Sequence, residues 1–95
     1  MMADKTFHLT VITPDRVFFD GAVRSIVAPG GAGSLGVLVD HAPLITTLRP
    51  GRLSVTSADG KVQSFLIGAG FLDILRNEVV LLTESAQSDH ATRLS

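Results

Sequence analysis

The sequence predicts a small all-β domain, an antiparallel sandwich or barrel of about nine short strands. Three observations support this prediction. Apolar residues alternate with polar ones or form short runs, turn signals recur every few residues, and no stretch of useful length has helical periodicity. The 95 residues suffice for one domain with a single modest core.

The first strand is predicted at residues 7–13, where Phe7, Leu9 and Val11 share one face. Asp20-Gly21 is a typical hairpin signal and predicts a turn between two further strands. The later strands are predicted between turn signals, at residues 16–19, 22–28, 37–39, 44–48, 53–55, 62–67, 71–75 and 79–83.

A polar tail follows the last predicted strand, which ends near Glu84. The chain is therefore expected to divide into a β-sandwich domain at residues 1–84 and a frayed tail at residues 85–95, of which only 85–93 could curl into a helical turn. Eight side chains are expected mostly inside the domain: Phe7, Leu9, Val11, Val27, Leu53, Val55, Phe71 and Leu81.

Composition excludes several classes of function. Eight basic and nine acidic residues are spread along the chain, so no basic face is predicted to bind nucleic acid. The absence of cysteine excludes disulfides and thiolate metal sites. No apolar run approaches the ~20 residues that cross a bilayer, and residues 1–6 lack a signal-peptide core. A soluble, cytoplasmic chain is expected.

Catalytic and metal chemistry find no support in the residue spacing. His8, His41 and His90 lie far apart, and Asp40-His41 has no nucleophile elbow nearby. The glycine-rich segment at residues 30–36 lacks the Lys-Ser/Thr pair of a phosphate-binding loop. It is interpreted as a sharp exposed turn or a partner contact.

An ordered set of segments resembles the epsilon subunits of F-type ATP synthases, and it spans residues 7–84. The segments are Phe7-His8-Leu9-Thr10-Val11-Ile12-Thr13-Pro14 with Val17-Phe18-Phe19-Asp20-Gly21, Val27-Ala28-Pro29-Gly30, Gly33-Ser34-Leu35-Gly36-Val37-Leu38, His41-Ala42-Pro43-Leu44-Ile45-Thr46-Thr47-Leu48 with Pro50-Gly51, and Gly70-Phe71-Leu72-Asp73. Each motif alone is weak, whereas the order makes the resemblance specific.

The resemblance implies a flattened antiparallel β-sandwich of about nine to ten short strands. It implies a non-catalytic central-stalk subunit, without a cofactor, at the cytoplasmic face of the bacterial plasma membrane, coupling proton or sodium flow to ATP synthesis. The implied c-ring contacts are Gly33, Ser34, Leu35 and Gly36. The implied contacts to the gamma subunit are Thr13, His41, Ala42, Pro43, Leu44, Ile45 and Thr46.

The sequence departs from the family pattern in three places. Ser34 stands where the family usually has an acidic or bulky residue, and Val39-Asp40 where it often has Pro-Gly. Residues 85–95 are too few for the helical hairpin that in longer relatives can inhibit hydrolysis and in some binds ATP, so neither property is expected here.

The residues alone leave two alternatives open, a β-barrel that binds a small ligand in its mouth and a small hydrolase using Asp40 and His41.

Overall fold

The computed structural model describes residues 5–89, and every regular element within them is a strand. The nine strands are β1 (Phe7–Thr13), β2 (Arg16–Gly30), β3 (Gly33–Leu38), β4 (Leu44–Leu48), β5 (Gly51–Ser57), β6 (Val62–Ile67), β7 (Gly70–Leu75), β8 (Glu78–Thr83) and β9 (Ala86–Ser88). The predicted all-β class and the number of strands are confirmed.

The long strand β2 belongs to both layers of the sandwich. Its first half pairs with β1, and its second half pairs with β3 and β5. One layer then continues in the order β1, β8, β7, β4, and the other continues from β5 to β6 and β9. The ring centroids of Phe18 in β2 and Phe65 in β6 lie 5.3 Å apart in an edge-on arrangement, which adds one aromatic contact to the packing of the core.

One strand pair differs from a fully antiparallel sandwich. Strand β1 lies between β2, which runs antiparallel to it, and β8, which runs parallel to it. The first and eighth strands are joined through the sheet rather than by a hairpin, so no tight turn forces them to be antiparallel. The remaining pairs in the described chain are antiparallel, as predicted.

The predicted hairpin at Asp20-Gly21 is wrong. Both residues lie inside β2, where Asp20 pairs with Thr10 and Gly21 with Leu9 of β1. The chain reverses earlier, at Pro14-Asp15, and the Thr13 hydroxyl supports that turn by donating to the Asp15 carboxylate at 2.7 Å. One turn suffices because the ladder, after one register shift between Ile12 and Val11, continues past Gly21 to Val23.

Most of the predicted core is confirmed, since Phe7, Leu9, Val11, Leu53, Val55 and Leu81 are buried. Val27 and Phe71 are wrong, at 46% and 55% exposed. A bulge between Val23 and Ser25 shifts the alternation of β2. As a result the two neighbours of Val27 in the chain, Ile26 and Ala28, face inward, and Val27 itself faces outward. In β7 the alternation turns Leu72 and Ile74 inward, so Phe71 faces outward.

The segment after Glu84 returns to the sheet. Residues 86–88 form β9 and pair with β6, so a helical turn is the wrong prediction for them. The next residue, Asp89, has a side chain only 2% exposed and accepts a hydrogen bond at 2.8 Å from Arg52 Nε. Its amide donates to Ser64 O at 3.0 Å. Residues 90–95 lie outside the described part of the chain.

Candidate partner-docking surface

Strands β1, β8, β7 and β4 present one face to solvent, which we call the outer face. The pairing register places Thr47, Phe71, Leu82 and Ile12 in one row across it. Phe71 is 55% and Leu82 47% exposed, and Ile12 is half-buried. We call Phe71, Leu82 and Ile12 the apolar strip. Its exposure is notable because contiguous apolar surface on a small protein often marks a contact site.

A shallow groove of about 590 Å³ runs along the apolar strip to the end of the sheet, where Thr13 and Pro14 border it. Strands β7 and β8 approach closely at its floor. A Cβ added to Gly70 would lie 1.8 Å from the carbonyl oxygen of Leu82, so only glycine permits this approach. The β7–β8 pairing therefore forms the floor of the groove, and residues of β1 and β4 border it.

The residues predicted to contact gamma do not form one cluster. Ile45 projects from the outer face, 72% exposed, beside Asp73 of β7. Leu44 and Thr46 are half-buried and border the glycine-rich hairpin instead. Thr13 is buried at the end of β1, three strands from β4, which is about 14 Å at the usual strand spacing. The outer face extends from β1, which carries Thr13, across β8 and β7 to β4, which carries the other residues.

The rest of the predicted gamma segment lies before β4, in the connection at residues 39–43. Ala42 and Pro43 are exposed, and His41 is half-buried. The ring Nδ1–H of His41 donates to Ala42 O at 2.7 Å. This bond uses the imidazole within the connection itself.

The residues predicted to contact the c-ring lie on a regular hairpin of β2 and β3, which extends beyond the sharp exposed turn that the sequence indicated. Strand β3 begins at Gly33, four residues before the predicted strand, and pairs with the end of β2. Gly33 has a φ of 138°, a value that glycine adopts without strain. The amide of Gly31 donates to Thr47 O at 3.1 Å. Ser34 and Gly36 are exposed on this hairpin, while Leu35 packs against the core.

The hairpin and β4 share a small cavity of about 180 Å³, which Leu35, Leu44 and Thr46 border. The predicted c-ring residues and part of the predicted gamma residues are consequently neighbours. Sequence analysis treated them as separate segments. Their proximity follows from the pairing of Gly30 with Leu48, which brings the end of β2 to β4.

A reciprocal pair of hydrogen bonds that sequence analysis missed joins Asp40 to Asn77. The Asp40 amide donates to Asn77 Oδ1 at 2.6 Å, and Asn77 Nδ2 donates to Asp40 Oδ1 at 2.9 Å. Both residues are left-handed, with φ of 66° and 65°. No local signal in the sequence connects these two positions, which lie 37 residues apart.

These bonds argue against a catalytic dyad of Asp40 and His41, because each side chain has a different partner. The Asp40 carboxylate binds Asn77, and the His41 ring binds Ala42 O. Within residues 5–89, no group of three or more His, Asp or Glu side chains is placed to hold a metal ion. No helix able to cross a lipid bilayer occurs in that range.

His8 lies on the outer face between two carboxylates, Asp20 of β2 and Glu78 of β8. It hydrogen-bonds to Asp20 through Nε2, and its Nδ1 lies 3.5 Å from Glu78 Oε1. The pKa of His8 is raised above its ordinary value of 6.5, mainly by the hydrogen bond to Asp20, with both negative charges contributing and desolvation opposing. The side chains of His8, Asp20 and Glu78 thus link three strands, β1, β2 and β8.

We predict that titration of His8, followed by NMR of its ring protons, gives a pKa above 6.5. Because the folded-state pKa is raised, the contribution of His8 to stability is present below 6.5 and is lost as pH rises through the folded-state value. Asp20→Asn should lower the pKa more than Glu78→Gln does. A wild-type pKa at or below 6.5 would contradict the prediction.

The chain is a small two-layered β-sandwich domain with a glycine-rich hairpin beside an exposed apolar face. Comparisons with known proteins identify the family within this class. The sequence profile of the ATP synthase delta/epsilon chain β-sandwich domain matches residues 6–89. The chain therefore belongs to the ATP synthase delta/epsilon chain family.

Relatives are consistent with this assignment. The ATP synthase epsilon chain of Chlorobaculum tepidum is 39% identical over 82 residues, covering 86% of this chain and 93% of the relative. That of Dichelobacter nodosus is 38% identical, covering 84% of this chain but only 56% of the relative's length. That of Rhizobium johnstonii is 40% identical, covering 97% of this chain and 72% of the relative.

Solved structures show the same fold. A chain in the mitochondrial ATP synthase of Euglena gracilis, determined as an OSCP/F1/c-ring assembly, superposes with a TM-score of 0.85 at 26% identity, covering 97% of this chain and 61% of that one. A chain in the central stalk and c-ring assembly of Tetrahymena thermophila mitochondrial ATP synthase gives 0.76 at 20% identity, covering 97% and 73%.

Proposed function

We propose that this chain is a non-catalytic central-stalk subunit of an ion-translocating F-type ATP synthase. It docks the gamma subunit to the c-ring, so that rotation driven by proton or sodium flow is coupled to ATP synthesis. The observation that carries the proposal is the family match over residues 6–89, together with relatives named as epsilon chains. In the intact complex the chain is peripheral to the plasma membrane, on its cytoplasmic face.

The proposed gamma surface combines the outer face with the connection before β4. Ile45 and the apolar strip supply exposed apolar area. Burying this area against gamma stabilises the complex by about 25 cal/mol per Å². Asp73 sits beside Ile45 in the register and adds a polar contact that can orient the partner. Thr13 lies at the rim, where the groove ends.

The proposed c-ring surface is the tip of the β2–β3 hairpin, around Gly33, Ser34 and Gly36. Their small size lets another backbone approach closely. Leu35 anchors the hairpin to the core, and the Gly31 amide ties it to Thr47. The hairpin is thereby joined to β4, the strand that carries Ile45, so a load on one surface reaches the other through a close-packed interior.

The groove also raises a second candidate function, because about 590 Å³ lies within the size range of small-molecule sites. A barrel that binds ligand in its mouth would keep that volume between its layers. Here buried side chains such as Leu9, Leu53 and Leu72 fill the interior, and the groove runs over the outer face and the end of the sheet. Its position favours a protein partner.

Co-purification of the chain with the gamma subunit of the same ATP synthase tests the proposal. We expect a stable one-to-one complex and, on addition of detergent-solubilised c-ring, a ternary complex. In the absence of this chain, gamma and the c-ring should associate less readily with each other. Failure to bind gamma under conditions in which gamma is folded would contradict the proposed function. Binding to gamma without any effect on the c-ring would contradict the coupling role.

A further inference from the structure

The connection at residues 39–43 has few bonds that hold it in place. Strand pairing ends at Leu38 and resumes at Leu44. Within residues 5–89, the other hydrogen bonds of the connection are local, from the His41 amide to Leu38 O at 3.2 Å and from the His41 ring to Ala42 O. Val39 packs against the core, and the Asp40–Asn77 pair supplies the only hydrogen bonds within residues 5–89 that join this connection to a different part of the fold.

Asn77 is itself firmly placed. It lies in the two-residue turn between β7 and β8, and its carbonyl oxygen accepts a hydrogen bond at 2.9 Å from the amide of His8 in β1. The turn is thus attached to two strands by its ends and to a third by its backbone. Its side chain extends that framework to Asp40 through two bonds of 2.6 and 2.9 Å.

We propose that the Asp40–Asn77 pair is a positioning device, which holds the connection before β4, with His41, Ala42 and Pro43, in the conformation that binds the gamma partner. The inference rests on the proposed function. An untied connection would have to be ordered when the complex forms, and this ordering opposes binding. The pair orders the connection before binding and so increases affinity without touching the partner.

The left-handed backbone of both residues allows clean variants. Glycine adopts a positive φ freely, so Asn77→Gly and Asp40→Gly remove the side-chain bonds without adding backbone strain. Asn77→Asp places two carboxylates against each other. The double variant Asp40→Asn with Asn77→Asp restores a donor and an acceptor with their positions exchanged.

Titration calorimetry with the gamma subunit gives the first readout. We expect about tenfold weaker binding for Asn77→Gly and for Asp40→Gly, because ordering then accompanies binding. Asn77→Asp should bind more weakly still, and the exchanged double variant should return to within about twofold of wild type, as complementary pairs do in double-mutant cycles. Asp59→Ala removes a comparable carboxylate bond, to the Lys61 amide in the β5–β6 turn, and should leave gamma binding unchanged.

Amide hydrogen exchange of the free chain gives a second readout that does not need gamma. The Asp40 and His41 amides should exchange about tenfold faster in Asn77→Gly, while the amides of the buried Leu72 and Leu81 keep their wild-type rates. A merely stabilising role would change all four together. Thermal melting of each variant shows whether the fold survives, and Asp40→Gly replaces Asn77→Gly if the latter does not fold.

The outcomes separate this inference from the proposed function. If wild type does not bind gamma, the proposed function fails, and the exchange experiment still decides whether the pair orders the connection. If wild type binds gamma and both glycine variants bind equally well, the positioning role is overturned. Unchanged exchange at Asp40, or no recovery in the exchanged double variant, would also overturn it.

Discussion

Ile45→Glu is expected to weaken binding to the gamma subunit by at least about 30-fold, which corresponds to about 2 kcal/mol. The wild-type side chain is 72% exposed on the outer face, and we propose that gamma covers it. A carboxylate there would lose its water without gaining a partner, and the neighbouring Asp73 would repel it. Titration calorimetry at physiological salt measures the change.

Val62→Glu is the matched control. Val62 is a similarly exposed β-branched residue, 64% accessible, on β6 in the other layer. Both variants should melt within a few degrees of wild type, because neither side chain is part of the core. Equal affinities for Ile45→Glu and wild type would place gamma elsewhere. Equal losses from both variants would point to a general effect of charge.

Gly70→Ala is expected to lower the free energy of unfolding by about 3 kcal/mol or more, at the upper end of what overpacking costs. The added Cβ would lie 1.8 Å from Leu82 O and 2.8 Å from the Thr83 Cα, and both neighbours are backbone. No side-chain rotation can relieve that contact, so β7 and β8 must separate at the start of their ladder. Urea denaturation followed by circular dichroism gives the measurement.

Gly21→Ala provides the comparison for this prediction. Gly21 also lies within a strand, but its added Cβ would meet only the Phe19 ring at 3.7 Å, an ordinary contact. It should be neutral, or stabilising by about 0.5 kcal/mol through the unfolded chain. A Gly70→Ala protein as stable as Gly21→Ala would show that the β7–β8 pairing is looser than described.

Much of the fold follows from short-range pattern. Alternation in β1 correctly predicted Phe7, Leu9 and Val11 as core residues, because a strand buries every second side chain. The same rule failed at Val27, where a bulge in β2 displaces the alternation by one residue. The bulge forms where β2 pairs with β5, so the sequence of β2 taken alone did not show where the alternation shifts.

Turn composition was informative but not sufficient. Pro14-Asp15 does turn the chain, whereas Asp20-Gly21 is drawn into a continuous strand by its ladder with β1. The polar composition after Glu84 suggested a loose end, yet Asp89 is buried against Arg52. In both cases tertiary pairing outweighed local preference, because a satisfied ladder or a paired buried charge contributes more than intrinsic propensity does.

The sequence alone determined the β class, the glycine-rich segment at residues 30–36 as a special segment and six of the sixteen buried apolar residues within residues 5–89, because these depend on residues close together in the chain. The family resemblance followed from motif order, which is also a property of sequence. Tertiary structure decided which distant residues meet. The apolar strip of Phe71, Leu82 and Ile12 exists only through the register of three strands, and the Asp40–Asn77 pair joins positions 37 residues apart. The candidate surface could not be read from the chain because each strand supplies only one or two of its side chains, and pairing alone brings them together.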